Sequence, residues 1–124
     1  MNKHTLIYDG NELFGFGNND YGQLGLGDND NRNIPILLMT DKTIRKIFYG
    51  SYHTFILKES GELFAFGNNN YGQLCLGDNN NRYVSTLIMI DKTIRKIVCG
   101  GYHTLILKES GELFFLVVIL VNSN

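Results

Sequence analysis

The chain has no tryptophan, one proline and only two cysteines in 124 residues. Two cysteines, Cys75 and Cys99, are too few for a disulfide framework. Charge of one sign is missing too: 11 Lys and Arg stand against 12 Asp and Glu, interleaved, with no run of five like charges. That balance gives no reason to expect nucleic acid, an anionic membrane or an acidic substrate as partner. Asparagine is abundant, yet no Asn-x-Ser/Thr acceptor occurs, and the N-terminus lacks the apolar core of a signal peptide. These absences predict a reducing, intracellular setting, cytoplasmic or nuclear. The wealth of Asn, Ile, Lys and Tyr suits an AT-rich genome, such as that of a large virus whose product acts in a host cell. No segment keeps a helical period over twelve residues, which argues against an α-solenoid. What remains is an ordinary globular composition and one domain over residues 1–124.

What is present is a repeat. Glu12–Ser60 returns as Glu62–Ser110 without a gap, and 35 of those 49 positions are identical, so the two units must share one fold. Asp41–Ile47 recurs unchanged as Asp91–Ile97, and His4-Thr-Leu-Ile matches the stretches that begin at His53 and His103. The units are assigned as full repeats 12–61 and 62–111, with partial repeats 1–11 and 112–124.

Inside a unit the apolar residues alternate. His53, Phe55 and Leu57 share one face and Thr54 and Ile56 the other, while Leu63 and Ala65 oppose Phe64 and Phe66. Period two predicts half-buried strands. Lys58–Gly61 is a polar turn joining two of them as a hairpin. A glycine-rich loop, Gly67–Gly77, and an Asn-rich loop then lead to a run near Leu87–Ile90, and Ile97–Gly100 completes the set. Four short strands per fifty residues is the count for one antiparallel propeller blade. The expected fold is therefore all-β: about two four-stranded blades plus partial ones, an incomplete propeller.

The spaced identities Gly50-Ser-Tyr-His53-Thr54, Gly61-Glu-Leu-Phe-Ala-Phe66-Gly67-Asn68 and Gly72-Gln73-Leu74 resemble the regulator-of-chromosome-condensation repeat. The earlier copy supplies Gly10, Phe14, Phe16-Gly17-Asn18 and Gly22–Gly27, so the resemblance covers residues 4 to 114. Phe16 and Phe66 stand where the family often has tryptophan. Cys75 replaces a glycine, so a left-handed backbone there would be strained. After Phe115 the match stops, and the apolar tail looks like a truncation, as by a shifted reading frame. The run Leu113–Val121 is too short to span a bilayer and is expected as a buried or edge strand. Members of the family form closed seven-bladed rings. The resemblance therefore implies that several chains complete a ring as a homo-oligomer, or that the product is a fragment.

Candidate chemistry is sparse. His4, His53 and His103 share one repeat position, where ring symmetry could gather imidazoles around a metal; a structural role at a strand start is the expectation. Gly17–Gly22 has the first half of a P-loop, but Gln23-Leu24 stands where Lys-Ser/Thr would be needed. Asp28–Asn33 and Asp78–Arg82 superficially resemble calcium loops, yet Arg32 and Arg82 take ligand positions and no glutamate closes them. Lys42, Arg45 and Lys46, with Lys92, Arg95 and Lys96, form a basic strip that is read as a solvated blade edge. Neither cysteine has a base beside it in the repeat, so both are expected to pack. No catalytic residue, cofactor or metal is expected. The expected interaction residues are the loop tips Asn18, Asn19, Tyr21, Asn68, Asn69 and Tyr71. The resemblance implies a non-catalytic protein-interaction module with an unknown protein partner, no nucleic acid and no membrane. The alternatives are a guanine nucleotide exchange factor for a Ran-like small GTPase, and a truncated remnant without selected function.

Overall fold

A computed structural model describes residues 3–109 and the backbone of residues 113–117. The remainder of the tail, like the divergence after Phe115 beyond those positions, lies outside the described residues. Ten strands follow one another: β1 (His4–Tyr8), β2 (Glu12–Gly17), β3 (Arg32–Thr40), β4 (Ile44–Tyr49), β5 (His53–Lys58), β6 (Glu62–Gly67), β7 (Arg82–Ile90), β8 (Ile94–Cys99), β9 (Thr104–Lys108) and β10 (Leu113–Val117). They make three antiparallel meanders, β1-β2-β3, β4-β5-β6-β7 and β8-β9-β10. The architecture is an incomplete propeller, with one four-stranded blade between two three-stranded ones. A sequence period counted from Glu12 thus carries two strands of one sheet and two of the next.

Equivalent strands pair in equivalent register. His4 faces Gly17 and Thr5 faces Phe16 in the first sheet, as His53 faces Gly67 and Thr54 faces Phe66 in the second. The turn read at Lys58–Gly61 closes with Gly61 N donating to Lys58 O at 2.9 Å. Gly17 and Gly67 end β2 and β6 at φ +109° and +115°, and a side chain there would strike the Lys3 and Tyr52 carbonyl oxygens. Those carbonyls accept from Asn18 N and Asn68 N, both at 2.8 Å, so the glycines let the loop be tied down. The outer strands β3 and β7 are nine residues long, longer than the run read near Leu87–Ile90. Pro35 sits in β3, at the sheet edge, where its missing N–H breaks no ladder.

The core lies between blades. Alternation sends Phe55 and Leu57 to one side of β5, into a cluster with Ile94, Ile97 and Ile106 of the third sheet. Ile56 faces the other way and packs with Phe66, Ile44 and Leu13 against the first sheet. Each large apolar side chain so buried contributes about 1.5–3 kcal/mol. β5 is buried through His53–Leu57 because both its faces are covered, whereas β1, with one neighbour sheet, alternates between covered and exposed.

Candidate interaction site

The loops that follow β2 and β6 run at one end of the strands and are built on inward-facing amides. In the first, Asn19 Nδ2 donates to Asp28 Oδ1 at 2.9 Å and to the carbonyls of Asp28 and Asp30 at 3.1 Å. Its Oδ1 accepts from Leu24 N at 3.0 Å, and its own N–H donates to Asn31 Oδ1 at 2.7 Å. Asn69 repeats this with Asp78, Leu74 and Asn81. Gln23 Oε1 accepts from Tyr21 N and Gln73 Oε1 from Tyr71 N, at 2.9 and 3.0 Å, while each Nε2 donates to the first asparagine of its loop. Asn18, Asn19, Asn68 and Asn69 are all buried. These four, expected as interaction residues at the loop tips, turn their side chains inward: their amides replace the ladder partners that the loop backbone lacks.

The tyrosines point outward instead. Tyr21 is half-buried and Tyr71 is 52% exposed. The loops between β4 and β5 and between β8 and β9 bring two more to the same end, Tyr52 and Tyr102, the latter 54% exposed. The four rings touch in a line. Tyr21 meets Tyr52 edge-on at 5.6 Å, Tyr52 stacks on Tyr102 at 6.3 Å, and Tyr102 meets Tyr71 edge-on at 4.7 Å between centroids. Tyr52 and Tyr102 were not among the residues expected from sequence. Their signal was the shared position directly before the histidine in Gly50–Thr54 and Gly100–Thr104.

His4 and His53 serve the blade boundaries. His4 Nε2 lies 2.9 Å from Thr54 Oγ1, and Thr54 donates to Gln23 O at 2.8 Å. At the next boundary Thr104 donates to Gln73 O at 2.7 Å with His53 Nε2 3.4 Å away. Because the hydroxyl proton of Thr54 goes to the carbonyl, the His4 ring must donate from Nε2. Burial pushes the His4 pKa down to about 4, partly offset by a Ser51 backbone bond. Burial also pushes His53 down to about 4, helped by His4 and His103. Among the described residues no group of three or more His, Cys, Asp or Glu is placed to hold a metal.

The other candidates resolve locally. Arg32 Nη2 and Arg82 Nη2 bond Asp28 and Asp78 at 2.8 and 2.7 Å, and those bonds hold the two carboxyls below their ordinary range. An arginine therefore fills the place a calcium ion would need. In the basic strip, Arg45 Nη2 donates to Ile94 O at 3.0 Å and Lys46 Nζ to Arg95 O at 3.1 Å, so both tie β4 to β8. A shallow cavity of about 360 Å³ is bounded in part by His4, Tyr49, Gly50 and Cys99. A thiol–imidazole dyad needs a low thiol pKa and a basic imidazole. Here burial pushes Cys99 up to about 12, aided by Cys75, and pushes His4 down, both the wrong way.

Fold and site together define repeat-built β-propeller blades with an aromatic line at one strand end. The family model for the Regulator of chromosome condensation (RCC1) repeat matches residues 10–57 and 60–107, and a second model for that repeat matches residues 44–73. The chain belongs to the regulator of chromosome condensation (RCC1) repeat family. Among solved structures it is similar to human WBSCR16, with 25% identity, a TM-score of 0.73, and 90% of this chain matched to 30% of that one. It is equally similar to yeast RCC1 (Prp20), solved bound to Kap60, with 25% identity and a TM-score of 0.73 over 90% of this chain and 27% of that one. Prp20p of Saccharomyces cerevisiae, from a structure concerned also with its binding to Gsp1p and histones, matches at 22% identity and a TM-score of 0.72 over 90% of this chain and 28% of that one. The chain therefore spans under a third of the length of each.

Proposed function

We propose that this chain is a non-catalytic protein-interaction module that meets its partner through the line Tyr21, Tyr52, Tyr102 and Tyr71. The observation that carries this reading is the contact of four phenol rings at one strand end, two of them about half exposed. Tyrosine offers a large apolar face with a hydroxyl handle and loses little rotamer freedom, and it is enriched at protein interfaces for that reason. Tyr21 and Tyr71 stand on loops held by buried amides, and the Tyr52 carbonyl accepts from Asn68 N at 2.8 Å, so much of the surface is formed before a partner arrives.

The test is quantitative affinity capture with the immobilised chain. A specific partner should be retained by the wild type and by Lys92→Ala, which lies at the other strand end. Its retention should fall at least about 30-fold in the Tyr71→Ala/Tyr102→Ala double variant, the loss of one interface hot spot or more. Equal retention by both variants removes the reading. Guanine nucleotide exchange on a Ran-like small GTPase, the other activity the family resemblance implies, is tested with the same preparation. It requires faster release of labelled GDP at catalytic amounts of the chain.

A further inference from the structure

Each boundary between sheets has a forward side and a backward side, and both boundaries use repeat-equivalent groups. His4 and His53 lie on forward sides, each facing a threonine of the next sheet. The backward sides present Thr54 and Ile56 in the second sheet, and Thr104 and Ile106 in the third, all buried. By strand register Thr5 and Ile7 are the backward counterparts in the first sheet, and both are exposed, Ile7 at 49%. The forward counterparts in the third sheet are His103, exposed, with Leu105 and Leu107 half-buried. Beside them Val98, 46% exposed, stands in register where Phe48 packs into the second boundary.

We propose that a second copy of this chain docks head to tail, the forward side of the third sheet of one copy on the backward side of the first sheet of the next. His103 of one copy then meets Thr5 of the other as His4 meets Thr54. The argument is continuity: two interfaces of this kind already exist inside the chain, and the described residues leave one unmatched side of each kind. The ties that Arg45 and Lys46 make to β8 have no counterpart at the new boundary, because the first sheet has no inner strand among the described residues. Association is accordingly weaker than the internal contacts and depends on concentration. Since the two sides differ, the contact is heterologous and can extend beyond two copies.

Sedimentation velocity of the full 124-residue chain over a wide concentration range tests this. The wild type should shift from the 14.1 kDa chain to species of twice that mass and above. Ile7→Asp blocks every backward side and Leu105→Glu every forward side, so each variant alone should stay a monomer. Mixed in equal amounts, they should form a heterodimer that grows no further, since each retains the side the other lacks. Thr5→Arg and His103→Glu, at exposed positions, repeat the design should either apolar variant fail to fold. A wild type that is monomeric throughout, variants that assemble as the wild type does, or folded variants that stay monomeric when mixed would each overturn the proposal.

Discussion

His4 Nε2 and Thr54 Oγ1 lie 2.9 Å apart across the first blade boundary, 50 positions apart in sequence, one repeat length. The bond joins neighbouring sheets, and the same hydroxyl also satisfies the Gln23 carbonyl at 2.8 Å. A residue that saturates two buried groups at a packing boundary controls more than its own strand.

Replacing that hydroxyl by a methyl tests its weight. Thr54→Val keeps the shape and leaves the Gln23 carbonyl and the His4 ring unsatisfied, which should cost about 1–3 kcal/mol. Thr5→Val, at the exposed register mate, should change stability by less than about 0.5 kcal/mol. Urea unfolding of the two variants beside the wild type makes the comparison.

Acid should loosen the boundaries before it breaks the ion pairs. His4 and His53 have folded pKa values of about 4 against 6.5 when unfolded, so the unfolded chain binds more protons between those values. Stability is therefore full above about pH 6.5 and falls as the pH drops toward 4, by on the order of 2 kcal/mol per histidine at pH 5. Asp41 and Asp91 behave differently, since bonds from Lys58 and Lys108 lower their pKa values to about 2. Their stabilisation is present above the unfolded value of 3.8 and is lost only as the pH falls toward 2. Unfolding midpoints at a series of pH values should show two separate declines, and His53→Gln should shrink the upper one alone.

Cys75 holds φ at +65°, where its counterpart Gly25 holds +69°. A left-handed residue with a Cβ is strained by about 1–2 kcal/mol, and glycine gives back part of that gain through the freedom of its unfolded state. Cys75→Gly should stabilise the chain by about 0.5–1 kcal/mol. Gly25→Cys should destabilise it, since a Cβ there would also press to 3.1 Å from the Phe66 ring. Thermal melts of the two variants, which must move in opposite directions, check the assignment.

Asn69 and Asn70 are adjacent and should respond very differently. Asn69 is fully buried and bonds Asp78, Leu74 and Asn81, whereas Asn70 is exposed. Asn69→Ala leaves several buried groups unpaired and should cost about 2–3 kcal/mol. Asn70→Ala should stay within about 0.5 kcal/mol of the wild type. Proteolysis within residues 68–81 of the Asn69 variant should rise in step with its loss of stability.

These results also mark what could be read from the residues in order. Strand faces were legible because alternation is a local signal: Phe55 and Leu57 part from Ile56 into different clusters as period two requires. The strained backbone at Cys75 was legible because the other copy carries glycine. The inward turn of Asn19 and Asn69 was not, because five of the seven hydrogen bonds that their amides make go to backbone atoms, which have no sequence signature. The line of tyrosines was hidden for another reason. Tyr21 meets Tyr52, and Tyr52 meets Tyr102, only after one blade is rotated against the next, a relation that no single repeat contains.

Site-specific photo-crosslinking asks whether the tyrosine end of the blades is where a partner binds. A photoreactive phenylalanine derivative is placed at Tyr102 and, in a separate chain, at Lys92 on the opposite strand end. One discrete protein adduct from position 102, absent at 92 and lost when Tyr71→Ala is added, is the result predicted here. No adduct at 102, or the same adducts from both positions, would contradict it.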